Sequence, residues 1–133
     1  MTQTSPHTFP VRVYYEDTDL AGIVYYANYL RFIERGRTEY VRARGIDQVR
    51  LRAETGIVFA VRRVEADYLA PARFGEDLTV ETEVVEVKGA SLVMIQRVTR
   101  DGTVLFAARV VVVAIDAAGR AARMPADLRR LLA

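Results

Sequence analysis

The sequence predicts an α+β fold, with one long helix packed on one five-stranded antiparallel sheet. Three observations carry that prediction. Apolar residues keep a helical spacing over one long stretch, from Tyr29 to Gly45. After Gly56 the chain runs almost entirely in β-branched and aromatic segments. The turns between those segments are short, so neighbouring strands must run antiparallel. The chain has 133 residues, 51% of them apolar, and no repeat or linker interrupts it, so it reads as one domain over residues 8–132 with a real core.

Taken in order, "FPVRVYYE" (9–16) alternates. Phe9, Val11, Val13 and Tyr15 face one side and Arg12, Tyr14 and Glu16 the other, which predicts a first strand. Tyr29, Ile33, Gly36, Tyr40 and Ala43 then make a helical stripe, flanked by Leu30 and Val41. Asn28 is the expected N-cap and Gly45 the expected C′ terminator. Glycine inside a helix costs about 1 kcal/mol against alanine. Its place on the stripe implies that the helix lies tight against the sheet at Gly36. A short second helix is expected near Asp47–Ala53. Strands follow at 57–70, 77–87, 91–100 and 103–116, punctuated by "PARFGED", "KGA" and "RDGT", the last an Asp-Gly hairpin cue. "PADLRRLL" closes the chain as a short helix.

The stretch "VVVVAI" (110–115) is apolar at every position, so both faces of its strand should be covered. One helix does not cover two faces and two edges. A homo-oligomer joined through sheet edges resolves this; a fully buried central strand in a monomer is the other solution.

Composition narrows the function. The net charge is only +2, which gives no electrostatic case for binding nucleic acid. The basic side chains are arginines apart from Lys88, and the absence of cysteine excludes a disulfide frame, a thiolate nucleophile and a sulfur metal site. "MTQTSPHTF" lacks the pattern of a secretion signal, and the longest apolar run is far too short to cross a bilayer. A soluble, cytoplasmic protein is expected.

Elimination then points to the reactive group. The only histidine, His7, falls in the tail before the predicted first strand, and the only serines are Ser5 and Ser91. Histidine-based acid–base pairs, serine triads and zinc sites are poorly served by that inventory. A carboxylate remains. Glu16, Asp17 and Asp19 crowd "YYEDTDLAG", just ahead of a helix start. Any one of them could be a turn former. A carboxylate upstream of a helix N-terminus is also placed to attack a carbonyl held by the free N–H groups there, or to activate water against it. The magnesium phosphotransferase pattern D-x-D-x-[TV] fits worse, because the fifth position is Ala21 and no parallel βαβ context follows.

"YYEDTDLAGIVYYANYLRFIERGRTEYVR" resembles the signature of the 4-hydroxybenzoyl-CoA thioesterase family, closest to the acyl-CoA thioesterase branch associated with the Tol–Pal envelope system. The likeness extends over nearly the whole chain, to the strand set ending "DAAGRAARMP". It implies a hotdog fold, in which the sheet wraps the long helix. It also implies dimers joined through their sheets, often paired into tetramers, with the active site at the dimer interface. The implied reaction is hydrolysis of an acyl-CoA thioester to free acid and CoA, without metal or cofactor.

Carried over by position, the resemblance makes Asp19 the catalytic acid and Asp17 structural, and gives Glu16 no role. Tyr26 marks the helix entry whose backbone N–H polarises the thioester carbonyl. The Tol–Pal branch usually has histidine there, and tyrosine is what the hydroxybenzoyl branch shows, so the acyl preference stays open. Tyr15, Val24, Tyr25, Tyr26 and Tyr29 are candidates for the acyl pocket, with packing in the core as the other reading of the tyrosines, and Lys88 and Ser91 of "KGAS" for contacts to the CoA phosphates, although "KGAS" also reads as a plain hairpin turn. An acyl carrier protein is a second candidate partner. Two other readings share these residues: a hotdog module that binds acyl-CoA or a protein without turnover, and a hotdog dehydratase or hydratase. The last generally needs a histidine–carboxylate pair, for which only His7 is available.

Overall fold

A computed structural model describes residues 5–133. The elements run β1 (His7–Arg12), α1 (Asn28–Ala43), α2 (Gln48–Thr55), β2 (Val58–Tyr68), β3 (Asp77–Val87), β4 (Ser91–Arg100), β5 (Thr103–Ile115) and α3 (Ala126–Leu132). The five strands form one sheet in the order β1-β3-β4-β5-β2, every pair antiparallel. Register shifts at Val61/Arg63, Val84/Glu86 and Val98/Thr99 interrupt the ladders. Irregularities of this kind bend and twist strands, which suits a sheet curling around a helix.

That helix is α1. Phe32, Ile33, Gly36, Tyr40 and Val41 are buried on its sheet face, against Val80, Leu92, Met94, Val98, Leu105, Phe106 and Val110 in one continuous core. Gly36 does what its position implied. A Cβ there would lie 2.5 Å from Val80 Cγ1, so only glycine lets the helix settle this close to β3. The C-terminus closes at Gly45, φ +82°, with Gly45 N–H donating to Arg42 O and Ile46 N–H to Val41 O.

Three details of these elements differ from the sequence reading. Regular pairing of β1 ends at Arg12 rather than Glu16, and Tyr15–Asp17 make a single 3₁₀ turn, which leaves Tyr15 exposed instead of in the core. His7 is not in a tail: it pairs with Thr82 as the first residue of β1 and packs edge-on against Tyr40. Leu30 is exposed and Phe32 takes the core position beside Ile33. In β5, Val110, Val112 and Ala114 are buried toward the core, while Val111, Val113 and Ile115 are only half-buried on the outer face of a single chain.

Candidate active site

The loop between β1 and α1 is held by its own backbone and by one buried acid. Asp17, 6% exposed, accepts from Tyr14 N–H (Oδ2, 2.8 Å) and from the Asn28 side-chain amide (Oδ1, 2.6 Å). Its carbonyl accepts from Tyr25 N–H at 2.9 Å, and Thr18 and Val24 form an antiparallel bridge. Asp17 is therefore structural. Asn28 is not the N-cap: Ala27 takes that position, and Asn28 turns inward, 7% exposed, to pin the first turn of α1 to Asp17. The preference of asparagine for caps was outweighed by a buried acceptor that only the folded loop supplies.

Asp19 is placed differently. It is exposed, and it heads a tight turn in which Gly22 N–H donates to Asp19 O and Ala21 N–H to Asp19 Oδ1, both near 3 Å (3.0 and 2.9 Å). Gly22 sits at φ +78°, a left-handed conformation that favours glycine. The second carboxylate oxygen of Asp19 has no partner among the described residues. The loop then runs into α1, whose N-terminus carries no side-chain cap. Among the described residues nothing accepts from Tyr26 N–H or Ala27 N–H, so donors and the positive end of the helix dipole stay available at this terminus.

Aromatic rings build the wall behind. Tyr29 stacks on Phe106 at 5.1 Å, and Tyr68 meets Tyr26 (6.0 Å), Tyr29 (5.7 Å) and Phe106 (5.1 Å) edge-on. The Tyr29 hydroxyl accepts from Ala72 N–H at 3.1 Å. Burial pushes its phenol pKa up, opposed by that hydrogen bond and by the Arg100 charge. Tyr25 and Tyr26 are exposed and in ring contact at 5.0 Å. Val24 and Tyr29, each 3% exposed, belong to the core side of this wall. Among the described residues no group of three or more His, Cys, Asp and Glu side chains could hold a metal ion.

With this geometry in place, the comparisons with known proteins are decisive. The model of the thioesterase-like superfamily matches residues 13–132. The chain belongs to that superfamily. A protein from Haemophilus influenzae named acyl-CoA thioesterase YbgC is 48% identical over 109 residues, covering 82% of this chain and 80% of its own. A probable thioesterase from Bartonella henselae superposes with a TM-score of 0.87 at 35% identity, over 91% of this chain and 100% of that one. An aspartate-to-asparagine variant of 4-hydroxybenzoyl-CoA thioesterase, solved with 4-hydroxybenzoyl-CoA, superposes with a TM-score of 0.91 at 26% identity, over 98% and 100% of the two chains. The fold is the hotdog of this superfamily.

For a thioesterase-like chain, the phosphate candidates lie far from the loop. Lys88 and Ser91 stand at the start of β4, while Arg100 at its end contacts Pro71 and Glu76 beside the Asp19 loop. Nine residue steps at ~3.3 Å each separate these ends by about 30 Å. The sequence reading missed what Lys88 and Ser91 gather around them. Arg62, Arg63 and Arg109 join them in a cleft of about 170 Å³ on the outer face of the sheet. The adjacent "RR" in an edge strand was the available signal. Tyr68 was missed too, because nothing local marks the last residue of a strand as the neighbour of a helix entry.

Proposed function

We propose that this protein hydrolyses small acyl-CoA or aromatic acyl-CoA thioesters to free acid and CoA, acting as one domain over residues 8–132. One observation carries the reading: an exposed carboxylate, Asp19, sits on the loop that delivers the uncapped N-terminus of α1. The thioester carbonyl oxygen rests on Tyr26 N–H, whose donor strengthens its bond as negative charge develops. A single such donor is worth roughly 2.7–4 kcal/mol. Asp19 attacks the carbonyl carbon, the C–S bond breaks, and CoA leaves as a thiolate. Water then cleaves the resulting anhydride, releases the acid and restores the carboxylate. Direct activation of water by Asp19 gives the same products. Tyr25 and Tyr26 line the acyl entrance, with Val24 and Tyr29 behind them, and no cofactor takes part.

The length of β4, about 30 Å between its Ser91 end and the Arg100 end that lies beside the Asp19 loop, supports a homodimer. Edge strand β2 exposes Val61 and Val64 and has an unpaired side. Antiparallel pairing of two copies through β2 brings the start of one strand beside the end of the other. The end of the sheet that carries Lys88, Ser91 and the arginines of one copy then adjoins the end that carries the Asp19 loop of the other, so CoA bound at Asp19 can extend its phosphates over that edge. The half-buried outer face of β5 offers a surface for pairing dimers into a tetramer. An acyl carrier protein would present the same thioester to this entrance. Among the described residues no helix is long and apolar enough to cross a membrane, and a cytoplasmic location suits the substrate.

The test is thiol release over a panel running from acetyl- through butyryl- and palmitoyl- to hydroxybenzoyl-CoA, with wild type beside Asp19→Asn. Wild type is expected to turn over at least one substrate. The variant should keep its fold and lose a hundredfold or more, about 2.7 kcal/mol. No release from any substrate by wild type would replace the enzyme with a binding module.

A further inference from the structure

The loop that carries Asp19 has a base and a tip, and they are held by different partners. The base is tied to α1 through Asp17, which binds the Asn28 amide and, by its carbonyl, Tyr25 N–H. The tip, residues 19–23, makes no hydrogen bond to α1 among the described residues. Its outer partner is the segment that links β2 to β3. Val24 N–H donates to Ala72 O at 2.8 Å, and Ile23 forms an antiparallel bridge with Arg73. Asp19 N–H donates in turn to Ile23 O at 2.9 Å, so the height of Ile23 is passed on to Asp19.

Ala72 is fully buried, so its N–H needs an acceptor. That acceptor is Tyr29 Oη, 3.1 Å away. Tyr29 belongs to the first turn of α1, three residues after Tyr26. Its ring is held on two sides, stacked on Phe106 with 8° between the planes and edge-on to Phe32 at 6.0 Å. The hydroxyl is therefore a fixed point on the helix entry that presents Tyr26 N–H. From there a hydrogen-bonded path runs through the Ala72 peptide to Val24, Ile23 and Asp19. The linking segment is braced a second time from β4. Arg100 donates to Pro71 O at 3.2 Å and pairs with Glu76 at 2.9 Å, and Glu76 accepts from Arg73 N–H at 2.6 Å.

We propose that Tyr29 is a positioning residue: its hydroxyl, acting through the Ala72 peptide, sets the Asp19 carboxylate at attacking distance from a carbonyl held by Tyr26 N–H. This rests on the thioesterase reading. Attack requires reacting atoms about 3–3.5 Å apart, and a misplacement of about 1 Å costs roughly a hundredfold. Loss of the hydroxyl leaves a buried N–H unpaired, so the linking segment shifts and takes the loop tip with it. Binding of the substrate is spared, because the ring stays in the wall and Tyr26 stays on the helix. The defect therefore falls on the chemical step.

Tyr29→Phe removes one oxygen and keeps the ring. Its kcat and KM are measured on whichever acyl-CoA of the panel wild type turns over fastest. Binding is measured with S-butyl-CoA, a thioether that has no carbonyl, and thermal melts check folding. The variant should lose at least tenfold in kcat, while KM and the Kd for S-butyl-CoA change less than threefold. Glu76→Ala releases Arg100 and Arg73, and so loosens the same segment without touching Tyr29. It should show the same pattern, and the double variant should lose less than the product of the two single losses, since both act through one segment. A folded Tyr29→Phe with kcat within twofold of wild type overturns the inference. So does an equal loss of S-butyl-CoA affinity, which makes Tyr29 a wall residue only. Should Tyr29→Phe fail to fold, an unchanged kcat in Glu76→Ala overturns it instead. In each of these cases wild-type turnover leaves the thioesterase reading standing, whereas no turnover of any panel substrate by wild type removes both.

Discussion

At its C-terminus α1 is closed by the chain itself. Gly45 and Ile46 turn back to satisfy the carbonyls of Arg42 and Val41, and the left-handed glycine makes the reversal. At its N-terminus the same helix has no side-chain cap. The local supply of acids is ample, with Glu16, Asp17 and Asp19 all within reach in sequence. Asp17 is spent on Tyr14 N–H and the Asn28 amide, so it anchors the helix without covering its end. Asp19 is held in a turn of its own. An end left open amid potential caps leaves its donors available to a ligand, whereas the closed end serves stability alone. The comparison separates two aspartates that composition could not tell apart.

Substitutions at three positions break or sharpen that contrast. The largest effect on stability should come from Asp17→Ala, which strands the buried Asn28 amide and the Tyr14 N–H for a loss of roughly 3 kcal/mol. Denaturant melts would show it, and thiol release should fall as well because the start of α1 loses its anchor. Asp17→Asn keeps an acceptor and should lose less. Next, Gly45→Ala forces a side chain into the left-handed region at a cost of roughly 1–2 kcal/mol. Its kcat/KM should match wild type, since the closed end takes no part in chemistry. The smallest shift in stability belongs to Ala27→Asp. A carboxylate at the open end gains about 0.5 kcal/mol from the helix dipole. Yet it should lower kcat/KM about tenfold by competing with the developing oxyanion, since a carboxylate on that donor forfeits part of what the donor supplies. A variant that is more stable and equally fast would show that the oxyanion sits elsewhere.

Much of the fold was legible from residue patterns. The strands at 77–87 and 91–100 have the limits expected of them, and Gly36 marks a close helix–sheet approach, as its place on the stripe implied. Strand alternation and helix spacing are local signals, set by backbone geometry over a few residues. The misreadings share a different cause. Tyr15 alternates correctly with Val13, but a hydrogen bond from Tyr14 N–H to Asp17 ends the strand pattern first. Asn28 fits the cap preference, but a buried acid eleven positions earlier captures its amide. In both cases a specific side chain outweighed an average tendency.

The candidate site divides along the same line. Asp19 and Tyr26 lie seven positions apart on one loop, so a motif can hold them both. Tyr29 and Ala72 are 43 positions apart, and Tyr68 and Tyr26 come from different elements, so no spacing in the chain announces either pair. Sequence by itself determined the order of elements, the long helix with its glycine contact, and the short loop carrying the acids. Each of these follows from periodicity and turn chemistry within a few residues. Only the tertiary structure decided which aspartate is buried, which helix end stays open, and which hydroxyl holds the segment behind the loop. Those outcomes depend on contacts between residues far apart in the chain, where burial and hydrogen-bond competition, rather than local preference, set the energy.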